Sequence, residues 1–181
     1  VVDTQNNRNI NRVHRFDWQS EVNHTLYVYP DNAVFIGVSP APKGGCFLGV
    51  KVNYGDTLML YLNSEGKATR LSSGKGFFEY IGEKNGRCYF STDENAPMGH
   101  VLSIAAKDVE REGALVDGFA VALAEMDASL ESVGLTDEGI LAVYSRNACS
   151  EMALYSFEGK KLREIAMPSE FGAISTGGTI E

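Results

Sequence analysis

The chain has 181 residues, of which 44% are hydrophobic and 22% charged, so it can bury one sizeable core and is expected to fold throughout as a soluble unit. A net charge of −8 with no basic stripe excludes nucleic acid as the principal partner, because phosphate binding needs clustered Lys and Arg. No apolar run is long enough to span a membrane, and the start Val1-Val2-Asp3-Thr4-Gln5 has no charged leader before an apolar stretch, so neither an anchor nor a targeting signal is expected.

Residues 1–12 are polar and rich in Asn and read as a flexible lead-in. Short strands are expected at 12–18 and 25–29, followed by the turn Pro30-Asp31-Asn32, where the proline and the Asx side chains favour a bend. Further short apolar runs at 34–38, 46–52, 58–62 and 68–71 are separated by Gly- and Asn-containing turns and read as four more strands. The order then repeats with strands at 77–81, 87–92 and 100–104. The last two form a hairpin closed by Thr92-Asp93-Glu94-Asn95-Ala96-Pro97, in which Asp and Asn can satisfy backbone N–H groups while Pro97 fixes φ. Residues 119–126 are Ala-rich, and a helical turn or two is as defensible there as a strand. A third round is expected at 130–135, 140–145, 151–157 and 162–167, and residues 171–180 open like a fresh inner strand.

Three cysteines, Cys46, Cys88 and Cys149, are too few and too scattered for a disulfide framework and suggest a reducing compartment. His14, His24 and His100 are equally dispersed, and neither C-x-x-C nor H-x-x-x-H spacing occurs, so no metal or other cofactor is expected. Asp93-Glu94-Asn95 lacks the spacing and distant Glu of a calcium loop, and turn capping is its reading. The aromatic residues Tyr27, Tyr29, Phe77, Phe78, Tyr80, Tyr89 and Phe90 lie inside strand runs, where core packing outweighs a role in lining a channel.

The rounds are self-similar. Leu60-Tyr61 with Glu65-Gly66-Lys67 answers Leu154-Tyr155 with Glu158-Gly159-Lys160, and a period of about 40 to 50 residues with four strands per unit is the mark of a propeller. Short strands and Gly-rich turns also suit a β-sandwich.

A further observation separates the two. The segment Gly86-Arg87-Cys88-Tyr89-Phe90-Ser91-Thr92-Asp93-Glu94-Asn95-Ala96-Pro97-Met98-Gly99-His100-Val101-Leu102 resembles a blade hairpin of the prolyl oligopeptidase family of serine peptidases, which includes prolyl endopeptidases and oligopeptidase B. Leu130-Glu131-Ser132-Val133, Leu141-Ala142-Val143-Tyr144 and Leu162-Arg163-Glu164-Ile165 follow the family's next blade in order. Val13-His14-Arg15-Phe16 and Leu26-Tyr27-Val28-Tyr29 resemble an upstream segment, without its Leu-Gly and acidic residue. The resemblance implies an all-β fold, a partial β-propeller over residues 13–181 made of four-stranded antiparallel blades, about three of them with incomplete ends. It also points to the loop after residue 52, where family members carry a longer Asp-Pro loop facing the peptidase domain. Here Asn53-Tyr54-Gly55-Asp56-Thr57 is shorter, and Asn53, Tyr54 and Asp56 are the candidate peptide-facing residues.

In that family a seven-bladed propeller filters access to a catalytic α/β-hydrolase domain, so the resemblance implies a non-catalytic segment that gates peptide access. This chain has no G-x-S-x-G nucleophile elbow. Gly37-Val38-Ser39-Pro40 begins like one, but the prolines at 40 and 42 preclude the helix that must follow, so no catalytic residue is expected. The implied partners are a peptidase domain or a peptide, and the implied compartment is the cytoplasm. Two alternatives remain open: a free-standing β module that binds a protein or peptide, and an enzyme in its own right, for which the histidines give no hint of a base. Counting strands leaves residues 12–29 and 171–180 as unfinished blades, whose uncovered edges invite pairing with a second copy of the chain.

Overall fold

The computed structural model describes residues 2–5, 8–31, 33, 35–111 and 118–166. Its strands fall into four antiparallel sheets taken in chain order, each formed by neighbours in sequence. The first sheet holds β1 (Val2–Gln5), β2 (Arg8–Asp17) and β3 (Val22–Val28). The second holds β4 (Phe35–Pro40), β5 (Cys46–Lys51), β6 (Thr57–Leu62) and β7 (Ala68–Arg70). The third holds β8 (Phe78–Lys84), β9 (Arg87–Thr92), β10 (His100–Ala105) and β11 (Ala120–Leu123). The fourth holds β12 (Ser129–Leu135), β13 (Ile140–Arg146), β14 (Cys149–Tyr155) and β15 (Lys161–Ile165).

The middle strands bury both faces, and their alternation sorts side chains between two neighbouring sheets. On β5 and β6, Leu48, Val50, Leu60 and Leu62 pack with Val13 and Tyr29 of the first sheet's core, while Phe47, Met59 and Tyr61 pack with Phe78, Cys88, Phe90 and Ile104 of the third. On β9 and β10, Tyr89 and Val101 turn the other way, against Ile140, Ala142 and Tyr144. Each interface is a dry layer shared by consecutive meanders, which is how the blades of a β-propeller stack. The Phe47 ring contacts Tyr61, Tyr80 and Phe90 at centroid separations of 5.6, 4.3 and 5.2 Å, so one aromatic cluster locks the second sheet to the third. The fold is therefore all-β, a partial β-propeller of four-stranded blades, as the rounds of the sequence imply.

One expectation meets a different outcome, one left open between helix and strand is decided, and one falls outside the described residues. Residues 1–12, expected as a lead-in, carry β1 and the start of β2, paired from Val2↔Asn11 to Gln5↔Arg8. Backbone pairing needs no apolar side chain, so polar composition concealed it, and the first sheet has three strands where two were counted. The Ala-rich stretch is extended: β11 pairs with β10 and buries Ala122 and Leu123, tertiary pairing overriding alanine's helical preference. The strand expected within 171–180 lies outside the described residues.

The loop between β9 and β10 works as a cap, though partly for a neighbour. Thr92 Oγ1 accepts the Glu94 N–H at 3.0 Å within the bend, while the Asp93 carboxylate accepts the Phe77 N–H at 2.6 Å and Glu94 accepts the Ser73 N–H at 3.3 Å. Asp93 and Glu94 thus tie the hairpin to the connection that enters its own sheet.

Candidate functional site

Two regions hold polar groups in positions the fold leaves open. The first is the β5–β6 turn. The Asp56 N–H donates to Asn53 Oδ1 at 3.1 Å, and Asn53 Nδ2 donates to Asp56 Oδ2 at 2.6 Å, adding to the backbone bonds from Val52 N–H to the Asp56 carbonyl and from Gly55 N–H to the Asn53 carbonyl that close the bend. Asp56 Oδ1 also accepts the Gly76 N–H at 2.7 Å. That bond, followed by the Asn53 amide, holds the Asp56 carboxyl below its ordinary range. Of the three candidate peptide-facing residues, Asn53 and Asp56 are thus engaged in building the turn, and Tyr54 projects with its whole side chain in solvent, at 104% exposure. The same rim carries Asp93, Glu94, Glu125 and Asp127. Glu125 Oε1 accepts the Met98 N–H at 2.7 Å, and Asp127 lies 3.4 Å from Arg146.

The second region is a groove of about 620 Å³ between β8 and β12, the first strands of consecutive blades. β8 and β12 are edge strands of the third and fourth sheets, so the groove runs along one edge of each. Glu79, Glu83, Glu131 and Asp137 line it, and Lys84, the one cation among its lining residues, is engaged with Asp137 at 2.5 Å. The groove is consequently acidic. Both walls are bulged, β8 between Tyr80 and Gly82 and β12 between Leu130 and Ser132, which bends a strand and re-aims its side chains. The walls meet where Gly82 faces Leu135: a Cβ at Gly82 would lie 3.2 Å from the Leu135 side chain.

Reasoning from sequence missed this groove. The signal was present as a recurring pair, Ile36-Gly37, Ile81-Gly82 and Val133-Gly134, once in each first strand, with Glu79 and Glu131 standing the same distance before the second and third.

The remaining chemistry-bearing residues do not converge. Ser39 sits inside β4, opposite Phe47 in the ladder, not at a strand-to-helix turn. His14 Nδ1 is 3.3 Å from Thr25 Oγ1, while His100 begins β10 in the third sheet. All three cysteines are free thiols. Among the described residues, no group of three or more His, Cys, Asp or Glu side chains gathers as a metal site would require, and no helix is long and apolar enough to cross a membrane.

No protein-family model matches the sequence, and no curated protein does. Solved structures do match. The chain superposes with a TM-score of 0.69 and 19% identity on a structure from a study of two prolyl endopeptidases and the role of inter-domain dynamics in their catalysis and specificity, covering 90% of this chain and 24% of that one. It superposes with a TM-score of 0.68 and 20% identity on the apo form of prolyl oligopeptidase B from Galerina marginata, covering 92% of this chain and 27% of that one. A third match, at a TM-score of 0.67 and 20% identity, is a mutant of the same Galerina marginata protein bound to a 25mer macrocyclization substrate, covering 88% of this chain and 23% of that one. The chain therefore has the fold of the propeller of these peptidases and spans about a quarter of their length.

Proposed function

We propose that the chain is a non-catalytic propeller segment of a prolyl-oligopeptidase-like serine peptidase, which gates the access of peptides to a separate α/β-hydrolase active site. The observation that carries this reading is the acidic groove along β8 and β12, the first strands of blades that would border a propeller's central channel, in a fold shared with about a quarter of the length of a prolyl endopeptidase. A peptide threading the channel meets Glu79, Glu83 and Glu131 there, and Tyr54 is placed to touch a peptide or the catalytic domain from the rim. A cytoplasmic setting fits three thiols left unpaired. Association of two copies through the three-stranded first sheet belongs to the same reading, and light scattering on a size-exclusion peak tests it.

Fluorescence anisotropy with labelled ten-residue peptides tests the main claim. Binding without cleavage, weakened by Glu79→Gln with Glu131→Gln and by Tyr54→Ala, is the expected result. Undiminished binding in these variants would overturn the assignment of the groove, and turnover abolished by a serine-directed inhibitor would overturn the non-catalytic reading. A free-standing binding module is the competing reading, and an in-frame G-x-S-x-G downstream of Glu181 in the coding sequence would decide against it.

A further inference from the structure

Three carboxylates hold the β9–β10 loop, each through a different backbone N–H. Asp93 accepts the Phe77 N–H at 2.6 Å, Glu94 the Ser73 N–H at 3.3 Å and Glu125 the Met98 N–H at 2.7 Å, so the loop is tied both to the connection before β8 and to the one after β11. His100 stands at the root of this loop, opposite Thr92 in the ladder. Its Nε2 is buried and has no hydrogen-bond partner. The connection after β7, strands β8 and β10 and the segment into β11 place Leu71, Ser72, Phe78, Leu102, Phe119 and Val121 around the same cavity as His100, none of them ionisable. Burial holds the imidazole below its ordinary 6.5, against the upward pull of Glu125, Asp93 and Glu94, the same three carboxylates that hold the loop. A neutral imidazole tolerates this setting. An imidazolium does not, because it carries a charge and needs both ring N–H groups paired, and Nε2 has neither an acceptor nor water.

We propose that His100 is a proton-operated latch on the β9–β10 loop: neutral, it lets the loop close; protonated, it opens the loop by drawing away the carboxylates that cap Phe77, Ser73 and Met98. An imidazolium that leaves its buried place pairs with Glu125, Asp93 or Glu94 through a charge-assisted hydrogen bond, and each carboxylate so taken gives up a backbone N–H to water. The open loop takes its proton at the ordinary 6.5, whereas the closed loop resists it. Closure is therefore insensitive to pH above 6.5 and weakens below it by up to about tenfold for each pH unit, until the closed imidazole itself titrates. The latch works through local bonds and stands whether or not the acidic groove takes peptides.

NMR of the full chain from about pH 7.5 to about 5.5 tests it. The His100 imidazole should titrate with a midpoint below 6.5. Protection of the Phe77, Ser73 and Met98 N–H groups against exchange, corrected for the intrinsic pH dependence of exchange, should fall together by up to about tenfold per unit below that value. The N–H groups of Ala142 and Val143 in β13 should keep theirs. His100→Gln, polar but unable to take the proton, should remove the pH dependence at all three positions; if that variant loses its dispersed spectrum, His100→Phe takes its place. An imidazole midpoint at or above 6.5, flat protection in the parent chain, an equal fall in a folded His100 variant, or a fall shared by β13 overturns the proposal.

Discussion

Gly66 and Gly159 occupy the same place in two blades. Each lies in the turn between the third and fourth strands, with φ of +88° and +82°, and each brings its α-carbon against a carbonyl of the last strand of the preceding sheet. A Cβ would lie 2.3 Å from the Leu26 oxygen at Gly66 and 2.8 Å from the Ala122 oxygen at Gly159. The flanking caps repeat as well: Asn63 Oδ1 accepts the N–H groups of Glu65 and Lys67, and Ser156 Oγ accepts those of Glu158 and Lys160.

Alanine at either glycine therefore meets two obstacles, a left-handed backbone and a neighbouring main chain that cannot yield. Gly66→Ala and Gly159→Ala are each expected to cost about 3 kcal/mol. Gly86→Ala, also at positive φ but with nothing near its missing Cβ, should cost only about 1 kcal/mol. Urea denaturation of the three variants separates the contributions, and equal losses would mean the close approach adds nothing.

Tyr89 is buried and its ring lies 5.6 Å from that of Phe157, between the third and fourth sheets. Tyr89→Ala should destabilise by about 3–5 kcal/mol through the cavity it leaves. Pro97, exposed in the β9–β10 loop, should lose only about 1 kcal/mol on conversion to Ala, through the greater freedom of the unfolded chain. Small losses in both variants would show that the interface tolerates the void.

The Asp56 carboxyl is held below its ordinary 3.8, first by the Gly76 N–H and then by Asn53. The folded chain thus takes up this proton less readily than the unfolded chain. Its stabilising effect is present above 3.8 and disappears as pH falls through the lower folded value. Thermal melts from neutral to acid pH should show a shallower acid decline for Asp56→Asn than for the parent chain, and Tyr54→Ala should leave the profile unchanged.

Burial pushes the Cys88 thiol up to about 12, with Glu83 adding to the effect, and also raises the half-buried Cys46. Cys88 should resist alkylation until the chain unfolds, and Cys46 should react slowly. Cys149, partly exposed at the start of β14, should label first. Mass spectrometry of a timed reaction gives the order, and labelling of Cys88 as fast as Cys149 would contradict the burial of β9.

The chain's own pattern determined the strands and their grouping. Short β-branched and aromatic runs between Gly and Asn turns mark local structure, and the recurrence of Glu-Gly-Lys after Leu-Tyr is legible because each blade imposes the same turn on the same close approach. The hairpin from Arg87 to Ala105 was readable almost to the residue for this reason. Tertiary structure decided what no local signal carries. β1 exists because β2 offers it a backbone edge, and β11 is extended because β10 pairs with its edge and the next blade packs on Ala122 and Leu123. The roles of Asp56 and Asp93 depended on which main chain came within 3 Å, in each case one from the connection between blades. The acidic groove likewise arises from the approach of β8 and β12, strands distant in sequence, since a void is a property of how sheets meet and has no residue of its own.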